Sequence, residues 1–470
     1  KKKNKIFNKK EFFIYGWIFG FGYFLSSLYW ISISLTFDEN FKYLIPFSII
    51  LVPAFLSIFY GLVTYIFSIF NLKKLTSSFL LFSVIFGSIE FIRGYIFTGF
   101  PWNLISFSFS EINIFIQILS VIGTYSFNLI CITLFTCPAI FFLKKTFKEL
   151  FICFFYIIIA VGFLIFGIVK NNDFSTIETK KNEYLIRSIS SNITLDRFYN
   201  ENEEEKIIQE LILLSKPDKD LPTIFLWPEG LVSLSKIDEI KNQTYLLSNV
   251  FDKDHKIFMG VTKIKKIDNK YKYFNSMAVF DNNFDLVDEY NKVKLVPFGE
   301  FIPFEKILGK VGFKTITNNY KSFSTGNERD VIKIKSNNKE IKFLPLICYE
   351  IIYSGEIIKN ENFDYILNIS EDGWFGRSIG PKQHFTHSIF RSIESGKYII
   401  RSANNGISGI INPIGKVEKK IDFGKSGFID FTESKSLDPT PFTKYGNNFF
   451  LFIILLYIFL IFSFNKIENE

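Results

Sequence analysis

Cysteine and histidine are scarce in this chain of 470 residues, with four of the first and three of the second. The cysteines form no Cys-x-x-Cys pair, which excludes a disulfide scaffold and a zinc ribbon. Charge is scarce as well. Asp, Glu, Lys and Arg make up 21% of the residues against 48% that are apolar, a balance that excludes a disordered chain. What is abundant is phenylalanine, with 60 residues, and the mean hydropathy of +0.21 is too high for an ordinary soluble protein. The apolar residues come in blocks, so the composition is that of a membrane protein with a soluble part.

A helix needs about 20 apolar residues to cross a hydrocarbon core of roughly 30 Å. Five such stretches precede residue 170: Phe12 to Phe37, Tyr43 to Leu72, Leu75 to Phe100 (interrupted by Glu90 and Arg93), Ile112 to Leu143, and Leu150 to Val169. A sixth, Tyr445 to Asn465, closes the chain. Between Lys170 and Lys444 short apolar runs are broken by Lys, Asp, Glu, Asn and Gly, the texture of a folded α/β domain. The expected division is therefore residues 1–170 with five spans, 171–444 as the folded domain, and 445–470 as a last span with a short tail.

Lysine orients this arrangement. The first eleven residues hold six Lys and one Glu; Lys73 and Lys74 follow the second span, and Lys144, Lys145 and Lys148 follow the fourth. The alternate connections carry Asp38, Glu39 and Lys42, and Glu111. The positive-inside rule puts the lysine-rich connections in the cytoplasm, and five crossings then put the large domain outside. These cytoplasmic pieces, with the tail, carry a charge equal to the whole formal +8, so the basicity is topological and gives no support to a nucleic-acid partner. The first apolar run has no small-residue cleavage site and is expected to be a retained span rather than a signal peptide.

In the large domain, strands are expected at Tyr184 to Thr194, Thr223 to Trp227, Lys256 to Ile264, Ser276 to Phe280, Lys342 to Cys348, Tyr365 to Ile369, Tyr398 to Arg401 and Ile407 to Ile411, with a helix at Glu203 to Leu214. Cys348, the one cysteine outside the expected spans, ends a strand. Its plainer reading is a buried structural thiol; its sharper one is a nucleophile, which requires a base and an oxyanion stabiliser. His384 and His387 lie three apart on an expected helix, where a metal would need further ligands and a Cys-His pair stays open. Glu229 ends the strand that runs into Trp227-Pro228-Glu229, either projecting into a site or opening a helix. Alternation in Tyr290-Asn291-Lys292-Val293-Lys294 puts Lys292 and Lys294 on one face, as a site cation or as a surface pair. Glu90 and Arg93 share a helix face inside the third span, as an internal pair or a headgroup contact.

Taken in order, Trp227-Pro228-Glu229, Tyr290-Asn291-Lys292 running on to Pro297-Phe298-Gly299-Glu300-Phe301-Ile302-Pro303, and Cys348-Tyr349-Glu350 resemble the Glu-Lys-Cys signature of the nitrilase superfamily. The Leu-Val-Pro-Phe-Gly-Glu block and the flanking spans resemble its membrane-embedded branch, the apolipoprotein N-acyltransferases of bacterial inner membranes. Gly99-Phe100-Pro101-Trp102-Asn103, Asp372-Gly373-Trp374-Phe375-Gly376, Arg391-Ser392-Ile393-Glu394 and Arg401-Ser402-Ala403-Asn404-Asn405-Gly406 extend the likeness over nearly the whole chain.

The resemblance implies a multi-pass α-helical membrane domain joined to an extracytoplasmic, nitrilase-like α/β domain of αββα sandwich form. It implies Cys348 as nucleophile, Glu229 as general base and Lys292 as oxyanion cation, with Glu300 supporting Lys292, Asn275 lining the site, and Tyr349 and Glu350 shaping the acyl and acceptor pocket. A thiol beside Lys292 is expected to have a lowered pKa. Trp374 and Phe375, flanked by Gly373 and Gly376, are expected on a mobile loop that meets lipid at the mouth of the site. The implied reaction passes the sn-1 acyl chain of a membrane phospholipid to Cys348 as a thioester, then to the α-amino group of a diacylglyceryl-modified apolipoprotein, with no metal or organic cofactor. A membrane-tethered amidase that transfers to water is the rival. Ser190-Ser191-Asn192-Ile193, Phe198, Lys294 and Glu371 depart from the family pattern at the pocket edge. The family usually has eight spans, and the first span here, with Gly20-Phe21-Gly22 and Tyr29-Trp30, matches the third of them.

Overall fold

In the computed structural model, residues 8–70, 72, 74–143, 147–198, 204–234, 237, 250–308, 315, 321–336, 339–356 and 362–467 are described. Of the lysines that orient the chain, Lys1, Lys2, Lys3, Lys5, Lys73, Lys144 and Lys145 lie outside these residues, as do Glu203 and the tail residues Glu468 and Glu470.

Among the described residues, six helical segments are long and apolar enough to cross a membrane. Their main helices are α1 (Lys9–Leu28), α2 (Ile45–Phe67), α3 (Leu75–Arg93), α4 (Leu119–Thr136), α5 (Phe151–Thr176) and, at the C-terminal end, α8 (Asn448–Ile467). Asn8 starts α1 with a capping box: its side chain accepts from the Glu11 N–H, and the Glu11 carboxylate accepts from the Asn8 N–H. Three spans depart from the expectation, the fifth because α5 runs on to Thr176, past the expected boundary at residue 170. The third ends at Arg93 rather than Phe100, because Phe97, Thr98 and Gly99 all take positive φ and cannot continue a right-handed helix. The fourth is broken: Gly123, at φ +71, interrupts α4, and the N–H of Thr124 is capped by the Glu394 carboxylate at 2.8 Å. That cap ties a span helix to the α/β domain.

Among the described residues, the α/β domain contains two sheets. The first runs in the order β13 (Gly427–Ser434), β1 (Lys180–Ser190), β2 (Thr223–Leu226), β4 (Lys256–Ile267), β5 (Lys270–Phe280), β6 (Leu286–Asn291), with β3 (Val232–Ser233) paired to β4. The second runs β12 (Val417–Ile421), β11 (Ser408–Ile411), β10 (Tyr398–Asn404), β9 (Tyr365–Glu371), β8 (Lys339–Ile347), β7 (Ile332–Ser336). Strands β1, β2 and β4 are parallel, as are β8, β9 and β10. Their alternate apolar residues meet between the sheets, where Ile186, Ile224, Leu226, Phe258 and Met277 pack with Phe343, Ile347, Leu367, Ile369 and Ile400.

Helix α6 (Glu204–Ser215) buries Ile207, Ile208 and Leu211 on the outer face of the first sheet. Helix α7 (Gly380–Ser395) covers the second sheet. On that side one core cluster joins Leu344, Leu346, Ile366 and Ile399 to Phe24, Trp30, Tyr60, Phe86 and Trp102, so strand residues and span residues share a core. The result is the expected αββα sandwich, packed against the membrane helices.

Candidate active site

Three chain turns bring the candidate residues together, each at the carboxyl end of a strand. Glu229 follows β2, Lys292 follows β6, and Cys348 follows β8. The chain after β2 does not start a helix, which removes the helix-start reading of Glu229. It runs instead across β4, with the Gly260 N–H donating to the Pro228 carbonyl at 3.1 Å. A Cβ on Gly260 would lie 2.4 Å from the Glu229 Cα, so only glycine lets this strand pass beneath the carboxylate.

Lys292 is 1% exposed, and its Nζ lies 3.3 Å from Glu229 Oε1 and 2.9 Å from Glu300 Oε1. Asn275 donates through Nδ2 to both carboxylates, at 2.7 and 2.6 Å. The second oxygen of Glu229 accepts from the Glu371 N–H at 2.8 Å, and that of Glu300 from the Val296 N–H at 2.8 Å. Burial alone would lower the pKa of Lys292, but the two carboxylates outweigh it and hold the ammonium charged. Glu300 is pushed up, chiefly by burial, with Lys292 opposing. Lys294 does not share this setting. Because β6 ends at Asn291 the alternation stops there, and Lys294 turns outward to pair with Glu356 at 2.7 Å.

Cys348 is buried and opens the 3-10 turn Cys348–Ile352 with φ +49, an uncommon conformation for a side-chain-bearing residue. Its thiol is pushed well above the ordinary range, first by burial and second by the Glu229 charge, while Lys292 opposes both. This reverses the expectation of a lowered thiol pKa, since one ammonium does not offset desolvation and a neighbouring carboxylate.

Glu350 is fully buried. Its Oε1 accepts from Tyr290 Oη at 2.6 Å, the Val293 N–H at 3.0 Å and Arg329 at 3.1 Å, and its Oε2 accepts from the Ile347 N–H at 2.9 Å. It therefore ties the Lys292 turn to the Cys348 turn. Tyr349 donates to the Gly99 carbonyl at 2.8 Å, reaching the segment that follows the third span. Trp374 and Phe375 close the short 3-10 turn Asp372–Phe375 and are half-buried. Phe375 packs 4.7 Å from Trp30 and 5.8 Å from Trp102, and Trp374 meets Phe37 edge-on at 5.9 Å. An aromatic pair is covered more cheaply by neighbouring rings than left open.

Under Cys348 lies a network that the order of motifs did not assign. Asp372 accepts from Ser370 Oγ at 2.7 Å and from Arg401 at 2.9 Å, and contacts His384 Nδ1 at 2.9 Å; His384 Nε2 lies 3.2 Å from the Cys348 carbonyl. Burial would raise Asp372, but Arg401 and His384 hold it down at about 2. His384 is lowered by burial and by Arg401. Asp372 was visible in its motif, yet nothing in the spacing linked it to His384. Glu371, at a position departing from the family pattern, is buried and paired with Arg197 and Asn404. Glu90 and Arg93 form an internal pair, 0% and 1% exposed. Among the described residues no group of three or more His, Cys, Asp or Glu could hold a metal ion.

A sequence profile described as the apolipoprotein N-acyltransferase N-terminal domain matches residues 2–137, and one described as carbon-nitrogen hydrolase matches residues 241–431, which include Lys292 and Cys348. The apolipoprotein N-acyltransferase of Rickettsia bellii is 36% identical over 97% of this chain and 89% of its own length. That of Rickettsia typhi is 34% identical over 95% and 88%, and that of Agrobacterium fabrum 30% identical over 97% and 86%. With profile matches in both parts of the chain and relatives of 30–36% identity aligned over nearly all of it, this chain belongs to the apolipoprotein N-acyltransferase family.

Proposed function

We propose that this N-acyltransferase works through Glu229, Lys292 and Cys348, taking the sn-1 acyl chain of a membrane phospholipid and delivering it to the α-amino group of a diacylglyceryl-modified apolipoprotein. The observation that carries the reading is the buried ammonium of Lys292 held between Glu229 and Glu300 beside a buried thiol. Because Cys348 rests protonated, attack and deprotonation go together. Glu229 takes the thiol proton as sulfur bonds to the ester carbon, and Lys292 stabilises the tetrahedral oxyanion. Collapse breaks the ester C–O bond, and Glu229 returns the proton to the departing lysolipid oxygen. The thioester is then attacked by the neutral amine; Glu229 takes the amine proton and gives it to the leaving sulfur.

Glu300 and Asn275 hold the Lys292–Glu229 pair in register, and Tyr349, Glu350 and Trp374 are assigned to the frame around the acyl and acceptor sites. The same reading divides the chain at about residues 170 and 445, and places it in the inner membrane of a bacterium with the catalytic domain on the periplasmic side. The test is acyl transfer by purified variants in lipid. Lys292→Ala should lose about 100- to 1,000-fold in kcat, as for removal of an oxyanion donor. Cys348→Ser and Glu229→Gln should be close to inactive while still inserting, and a Lys292→Ala protein with near-normal turnover would refute the role given to Lys292.

A further inference from the structure

The third span leaves the membrane region through a strained segment. Phe97, Thr98 and Gly99 have φ +53, +77 and +83 in succession, two of them bearing side chains that disfavour such values. A Cβ at Gly99 would stand 2.1 Å from the Gly94 carbonyl oxygen. What holds the segment comes from both sides. From below, the buried Arg93 donates one guanidinium nitrogen to the Phe100 carbonyl and the other to Glu90 Oε1 at 3.1 Å. From above, Tyr353 Oη reaches the carbonyls of Thr98 at 2.9 Å and Gly99 at 3.2 Å, and Tyr349 Oη reaches Gly99 at 2.8 Å.

Both tyrosines belong to the chain that follows Cys348, and their rings meet edge-on at 5.5 Å. Cys348 itself holds a left-handed conformation at the start of that turn. On the other side, the Glu350 carboxylate fixes the turn to the main chain of Val293 and Lys294. The turn that carries Cys348 is thus held between the Lys292 loop and a strained span end.

We propose that Arg93 and Tyr353 are positioning residues for acyl transfer, acting through the carbonyls of Thr98, Gly99 and Phe100 on the turn that carries Cys348. A pair buried in the third span thereby sets the alignment of a thiol in the outer domain, so the site is fully formed only when that span is seated. The inference rests on Cys348 being the nucleophile, and the two ideas fail separately.

The experiment uses the full chain reconstituted in phospholipid, with kcat and KM for transfer measured beside the alkylation rate of Cys348 by N-ethylmaleimide. Tyr353→Phe removes one hydroxyl and leaves the ring packing. It should lower kcat about tenfold with KM unchanged, and change the alkylation rate of Cys348, as expected of a misaligned nucleophile. Tyr365→Phe, whose hydroxyl bonds Asn182 and Ser434 away from the site, should match wild type. Arg93→Lys, which keeps a charge opposite Glu90, should recover most of what Arg93→Gln loses. If Tyr353→Phe stays within about twofold of wild type in kcat and in alkylation, the positioning role is wrong even with Cys348→Ser inactive. If Cys348→Ser transfers normally, the nucleophile assignment falls and the inference falls with it.

Discussion

A thiol that is buried, next to a carboxylate and held off by one ammonium keeps its proton, and this sets the chemistry of Cys348. Raised above its ordinary value, the thiol gains thiolate only as pH climbs through that higher pKa. We expect alkylation of the resting enzyme to be slow near neutrality and to keep rising above pH of about 9, where an ordinary cysteine of pKa near 8.5 would level off. A plateau near pH 7 would show a pre-formed thiolate instead. Glu229, Lys292 and Cys348 were legible as candidates through the ordered set of motifs and its family resemblance, since spacing alone left each with a plainer reading. The direction of the thiol pKa was not, because burial and the distance to Glu229 are properties of the folded chain. The same holds for Asp372, His384 and Arg401, which lie 12 and 17 residues apart in sequence and meet only when β9, α7 and β10 pack.

Strands with alternating or continuous apolar residues, such as β2, β8 and β10, were read from the sequence to within a few residues. Strand β12 was not: Val417–Ile421 carries Glu418, Lys419 and Lys420, charges suited to the exposed edge of its sheet but a poor strand signal. Strand β6, Leu286–Asn291, was missed for the same reason, and so the alternation through Lys292 was continued past the strand end. The passage of β4 beneath Glu229 gives a prediction at this scale. Gly260→Val would drive two methyl groups and a Cβ into the Glu229 main chain, so we expect a loss of about 1–3 kcal/mol in stability from overpacking, together with a loss of transfer exceeding it. Chemical denaturation and turnover measured on one preparation check both; unchanged activity would mean that the Glu229 turn has slack the close contact does not suggest.

At the scale of the molecule, six apolar helical segments and a folded α/β domain were legible from the blocks of hydrophobicity and the change of texture after residue 170, and the αββα form from the family resemblance, while the breaks at Gly94–Gly99 and Gly123 were not. Apolar length alone does not reveal that Glu394 caps Thr124 or that tyrosines after Cys348 bind Gly99. The lysine asymmetry predicts that a cysteine introduced at position 145 is shielded from an impermeant thiol reagent in cells with an opened outer membrane, while one at the exposed Lys265 of the α/β domain is labelled; the opposite pattern would invert the topology. The central claim is that Cys348 carries the acyl group between two lipid substrates. It is tested most directly by giving the reconstituted enzyme a labelled phospholipid without acceptor, locating the label by mass spectrometry, and then adding a diacylglyceryl-cysteine peptide with either a free or an acetylated amine. We expect a thioester on Cys348 that persists, because a closed site keeps water out, and that is discharged onto the free amine but not onto the acetylated peptide. No label on Cys348, or its release as free fatty acid at the same rate whichever peptide is added, would contradict the account.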